Sequence, residues 1–166
     1  MKNKFLILLI LCGGLILSGC QTTTTYYQGA KADAVGVVSL VPVPVGQQKW
    51  QDLYVTVDYN LNRSGDNLDI DGVLSFSDSP QITYSVVRDL KLKLFLLDQD
   101  MRVVDYFDVA RTLSHRLDDE TTFSQTMKMR PGVVAMTFGY EGAFTENDPE
   151  GPSGQTVWRL PKRATN

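Results

Sequence analysis

Asn67-x-Asp69-x-Asp71-Gly72, with Asp78 in twelfth place, sets side-chain oxygens at positions 1, 3, 5 and 12 and a glycine at 6. Those types at that spacing are what a twelve-residue calcium loop needs, since a hard cation takes oxygen ligands around a sharp glycine turn. Leu74 also fills the apolar eighth position. Three features oppose the metal. Such loops lie between helices, and both flanks here read as strand. Asn67 replaces the first acid and Asp78 the longer bidentate Glu. Leu68, Ile70, Leu74 and Phe76 fall on one face of a strand, with Asp69, Asp71, Ser75 and Ser77 opposite. The strand reading is preferred and no metal is assigned, although a looser calcium site near Asn62–Asp71 stays open. His115, the single histidine, stands beside Arg116, Asp118, Asp119 and Glu120. Together they contain the groups of an acid–base set. A lone histidine in a polar corner is more often solvated, and no serine sits in a Gly-x-Ser-x-Gly elbow. No catalytic residue and no cofactor is assigned, and the expectation is a protein that is not an enzyme.

The remaining chemistry belongs to Cys20. Lys2 and Lys4 precede an apolar run from Phe5 to Leu17, which ends in Leu17-Ser18-Gly19-Cys20. A positive start, a short apolar stretch and small residues before a cut describe a secretory signal peptide. The run is 13 residues, interrupted by Gly13 and Gly14, against the roughly 20 needed to span a bilayer. Leu-Ser-Gly-Cys at this place resembles the lipobox of bacterial lipoproteins. That resemblance implies cleavage between Gly19 and Cys20 and acylation of the Cys20 thiol and new amino group. In Gram-negative members an Asp after the cysteine tends to retain the protein at the inner membrane. Gln21 stands there instead and points to the outer membrane, periplasmic side.

Removal of residues 1–19 leaves 147 of the 166 residues, enough for one domain and a tether. Cys12 leaves with the signal and Cys20 takes the lipid, so no disulfide or thiolate metal site is available. Lys2 and Lys4 leave as well, so 14 basic side chains face 19 acidic ones and the net charge is −5. Such a balance argues against nucleic acid and against electrostatic adhesion to anionic lipid. The membrane partner is then reached through acyl chains, each buried CH₂ contributing ~0.8 kcal/mol.

The elements that would carry any site are strands. Residues 20–34 are small and polar without period, and read as the lipidated cysteine and a flexible tether. Residues 35–166 read as one domain. Pro42 and Pro44 demote Val35–Val45 to an edge strand or an extended segment. Leu53, Val55, Val57, Tyr59 and Leu61 alternate with polar positions, as do Leu68 to Phe76. Ser77-Asp78-Ser79-Pro80 breaks the chain before an excursion around Gln81 to Val87. Leu90 to Leu97 becomes apolar on both faces, as a central strand covered on both sides does. Asp98-Gln99-Asp100 turns the chain into Met101–Val109, and Leu113–Asp119 reads as a polar corner. Phe123, Met127 and Met129 share a face that Gln125 interrupts; Val134, Met136, Phe138 and Tyr140 follow, and Trp158 is the packing residue of a last short strand. About seven strands joined by turns indicate an all-β sandwich or small barrel, and the reading taken is an Ig-like antiparallel sandwich. Leu94-Phe95-Leu96-Leu97-Asp98 and its turn resemble the FxLYD-type Ig-like domain of bacterial envelope proteins, which implies that fold and no catalysis.

Function is therefore expected from surface. Trp50 and Tyr54 are the candidate partner surface, because exposed aromatics mark protein or sugar contacts. The expected partner is another envelope protein, met through these rings or the Val37–Val45 edge. Small-ligand or glycan binding is the alternative.

Overall fold

The structure, a computed structural model, describes residues 26–146 and 154–162; the signal peptide, Gly19 and Cys20 lie outside them. The elements run β1 (Val38–Ser39), β2 (Gln48–Gln51), β3 (Val55–Ser64), β4 (Asn67–Phe76), α1 (Asp78–Thr83), β5 (Val86–Leu97), β6 (Val103–Arg116), β7 (Thr121–Lys128), β8 (Ala135–Thr145) and β9 (Gly154–Arg159). All the strand pairs are antiparallel. One sheet has the order β2-β3-β4-β7. The other has β1-β8-β5-β6, with β9 on the same edge of β8 as β1. The protein is thus all-β and sandwich-like. Nine strands are described rather than about seven.

The alternation in β3 and β4 does what its period requires. Val55, Val57, Tyr59, Leu68, Ile70 and Leu74 point inward and are buried. They meet Leu90, Leu92, Leu94 and Leu96 of β5 and Phe138, Tyr140 and Phe144 of β8. Removing such side chains from water contributes about 1.5–3 kcal/mol each. Gly72 lies on this inward row. A Cβ there would stand 2.6 Å from the Asp58 carbonyl and 2.8 Å from the Phe123 ring. The glycine makes room for Phe123 between the strands. Gln125, which breaks the apolar face of β7, hydrogen-bonds the Asp108 carbonyl on β6 at 3.2 Å and so ties the sheets at their rim.

β5 is central, between β8 and β6. Phe95 and Leu97 on its second face are fully buried beneath Tyr27, Ala30 and Ala32. Tyr27 packs edge-on against Phe95 at 5.3 Å and Tyr106 at 5.0 Å. The Gly29 amide donates to the Val103 carbonyl, the Val103 amide to Ala30 and the Ala32 amide to Met101, each at 2.9 Å. Here the expectation of a free tether over 20–34 is corrected: from Tyr27 to Ala32 the chain is part of the fold. Its small residues let backbone approach backbone, and Tyr27 supplies the apolar area.

Two further expectations change. Leu113 to Arg116 extends β6 instead of forming a corner. At the far end, the Asp98 carboxylate accepts the Asp100 and Arg102 amides at 2.9 and 2.8 Å. That closes the β5–β6 hairpin through a local side-chain turn.

Candidate functional site

The calcium-like spacing lies along β4, not around a loop. Asp69 accepts from the Thr126 hydroxyl at 2.6 Å and Asp71 from the Asn60 amide at 3.1 Å, both neighbours across the sheet. Asp78 opens α1. Among the described residues, no group of three His, Cys, Asp or Glu side chains is arranged to hold a metal. On β6, His115 stands opposite Val87 of β5, and its Nε2 is buried with no hydrogen-bond partner among the described residues. Asp118 is engaged by Arg116, whose two nitrogens reach its oxygens at 2.8 Å. That pairing holds the Asp118 carboxyl below the usual carboxylate range. The acid–base set is therefore an exposed ion pair beside a separate histidine.

Trp50 and Tyr54 pack at separate places along β8, on Phe138 and Phe144, and neither is an open surface ring. β2 pairs Trp50 with Val57, an inward position, and the indole is only 2% exposed. Its ring packs on Phe138 at 5.7 Å and lies beneath the Arg159 guanidinium at 5.0 Å. Gly36, at φ +79°, passes so close that a Cβ would meet the indole nitrogen at 2.5 Å. As a partner surface Trp50 is thus corrected to a core residue. Tyr54 is half-buried against Phe144 at 5.8 Å. The alternation that put it outward starts too early. Asp52 accepts the Tyr54 and Val55 amides, each at 3.0 Å, so Asp52–Tyr54 is a turn and β3 begins only at Val55.

Asp52 is the hub of this seam. Its other carboxylate oxygen accepts the Tyr140 hydroxyl at 2.7 Å and stands 3.7 Å from Arg159. Burial, with the Asp52 hydrogen bond and charge, pushes the Tyr140 phenol far up. Arg159 also donates to the Val35 carbonyl at 2.7 Å. Farther along β9, Gln155 reaches the hydroxyls of Tyr84 at 3.2 Å and Tyr54 at 3.4 Å. The inward side chains of β9 thus lock one sheet to the β2–β3 turn of the other. Beside Arg159, Asp33, Val35 and Thr137 line a shallow cleft.

The outward side chains of β9 do the opposite. Trp158 is 69% exposed, across from Glu141 on β8. Glu141 lies 3.6 Å from Lys93, which also pairs with Asp108 and is itself 6% exposed. A row of Trp158, Glu141, Lys93 and Asp108 therefore crosses four strands. Sequence reasoning gave Trp158 a packing role, and the structure reverses it. The missed residues are Asp52 and Arg159. An aspartate two places before a turn amide was a readable sign of the first; nothing local marked the second. Comparison with protein-family models, with curated proteins and with solved structures finds no match to this chain.

Proposed function

We propose that the protein is a lipid-anchored cell-envelope lipoprotein, at the outer membrane and facing the periplasm, that works without catalysis by binding another envelope protein. The observation carrying the binding reading is Trp158: a large exposed indole on β9, which among the described residues pairs only with β8. An open strand edge can accept an added strand, and tryptophan is the residue type that most often dominates binding energy. The lipid reading rests on Leu17-Ser18-Gly19-Cys20, seven residues before the packed Tyr27. Two stacked antiparallel sheets with strands exchanged between them support the finer Ig-like reading. Small-ligand or glycan binding would use the cleft at Arg159. That cleft encloses only about 20 Å³, far below the ~300–1,000 Å³ of ligand pockets, and neither Trp50 nor Tyr54 lines it.

Crosslinking in native cells, followed by purification of the wild type, Trp158→Ala and Cys20→Ala, tests the reading. A partner recovered with the wild type and reduced at least tenfold with Trp158→Ala supports it. Equal recovery with Trp158→Ala rejects the β9 surface. Cys20→Ala remaining in the membrane fraction rejects the anchor.

A further inference from the structure

Lys31 forms antiparallel bridges on both sides, with Arg102 on one and Lys162 on the other. Lys31 and Lys162 exchange both backbone hydrogen bonds, at 2.8 and 2.9 Å. Lys31 and Arg102 are the non-hydrogen-bonded kind of pair, since the bonds fall on either side, Ala32 to Met101 and Val103 to Ala30. Residues directly opposite in such ladders put their side chains on the same face, ~4.5–5.5 Å apart. Three cationic side chains therefore stand in one row, and all three residues are exposed. The Arg102 guanidinium is fixed by donating to the Gly29 carbonyl at 3.2 Å. None of the three is within ion-pair distance of a carboxylate among the described residues. Like charges directly opposite are unfavourable. In a chain whose overall charge is negative, their collection at one place calls for an anionic counterpart.

Chain length says which. Cys20 precedes Tyr27, the first core residue described, by seven residues, a span of at most about 25 Å. The same docked segment carries Lys31. We propose that Lys31, Arg102 and Lys162 form a seat for the anionic headgroups of the bilayer into which the Cys20 lipid inserts, so that the domain rests on the membrane in one orientation. This deepens the lipoprotein reading and rests on it. Each basic side chain near an anionic leaflet strengthens attachment about fivefold. Three of them make a tethered domain spend most of its time seated, by a factor of about a hundred. Net charge misleads here, because screening leaves only charges within ~10 Å of the surface to count.

The test supplies the anchor chemically, so that it stands apart from cellular lipidation. Residues 20–166 contain every described residue and one cysteine. Cys20 is coupled to maleimide lipid in vesicles of phosphatidylcholine alone or with about one third phosphatidylglycerol. Acetylation rates of individual lysines are then read by mass spectrometry. Lys31 and Lys162 are expected to react at least fivefold more slowly on the anionic vesicles. The difference should vanish at high salt and shrink in Arg102→Gln, while Lys49 and Lys128 on the other sheet keep their rates. Equal rates on both vesicles, or uniform protection of all lysines, overturn the proposal. So does equal protection by millimolar inorganic phosphate on neutral vesicles, which would make the site one for a free anion. The mass of Cys20 from native cells decides the lipoprotein reading separately.

Discussion

The outer faces of the two sheets differ in polarity and in what covers them. On the β2-β3-β4-β7 sheet the outer row is Asn60, Asp69, Asp71 and Thr126, polar side chains paired across strands at the water boundary. On the other sheet the outer face carries Phe95, Leu97 and Tyr106, and the Tyr27–Ala32 segment covers them. A polar face needs no cover. An apolar one does, and here the cover is the same stretch of chain that leads back toward Cys20. The covered sheet is also the one that presents Trp158 and the Lys31, Arg102 and Lys162 row. On the proposed function, attachment and recognition would share this sheet, while the second sheet completes the core.

The difference can be broken by substitution. Phe95→Ala, under the cover, should lower stability by about 3–5 kcal/mol, as for other buried aromatic truncations; urea unfolding measures it. Gly72→Ala should cost about 1–3 kcal/mol, since a methyl there forces backbone and the Phe123 ring apart. Asp52→Ala removes the acceptor of two turn amides and of the Tyr140 hydroxyl, a loss of about 2 kcal/mol. On the open side Asn60→Ala should stay within about 0.5 kcal/mol, as exposed positions do.

Base titration sharpens the same contrast. Burial pushes the Tyr59 phenol in the core up to about 12. Tyr27 in the cover also rises to about 12, through burial first and then the charge of Glu141. Both groups are neutral in either state below pH 10. Above it the unfolded chain releases protons that the folded chain holds, so stability falls as pH rises from 10 toward 12. Thermal melts across that window should show the fall, and Tyr59→Phe or Tyr27→Phe should each flatten it. A similarly small effect belongs to Asp89→Asn. Asp89 is lowered by its hydrogen bonds to Arg111, but the pair is exposed, 54% and 41%, and should cost under about 1 kcal/mol.

How much was legible follows the same division. β3, β4 and β7 were readable because one face of each is wet, and a period of two records that directly. Gln125 broke the pattern only because it reaches the other sheet's backbone. Leu94 to Leu97 correctly announced a strand covered on both sides, but not by what. Tyr27, Ala30 and Ala32 have no period, since they pack through one ring and close backbone contact. Trp50 was misplaced because β2 is four residues long, too short for alternation to declare a face. Trp158 was misplaced because an edge strand buries one face only, and Val157 and Arg159 take that side. The basic row is invisible to charge counting, since its members are far apart along the chain and meet only through two bridges.

Native-state hydrogen exchange at Gly29 and Ala32, in residues 20–166, tests the docked segment most directly. If the cover is part of the fold, these amides should exchange nearly as slowly as those of β5. Exchange at the rate of a free chain, while β5 stays protected, would show a loose tether and contradict the covered face of that sheet.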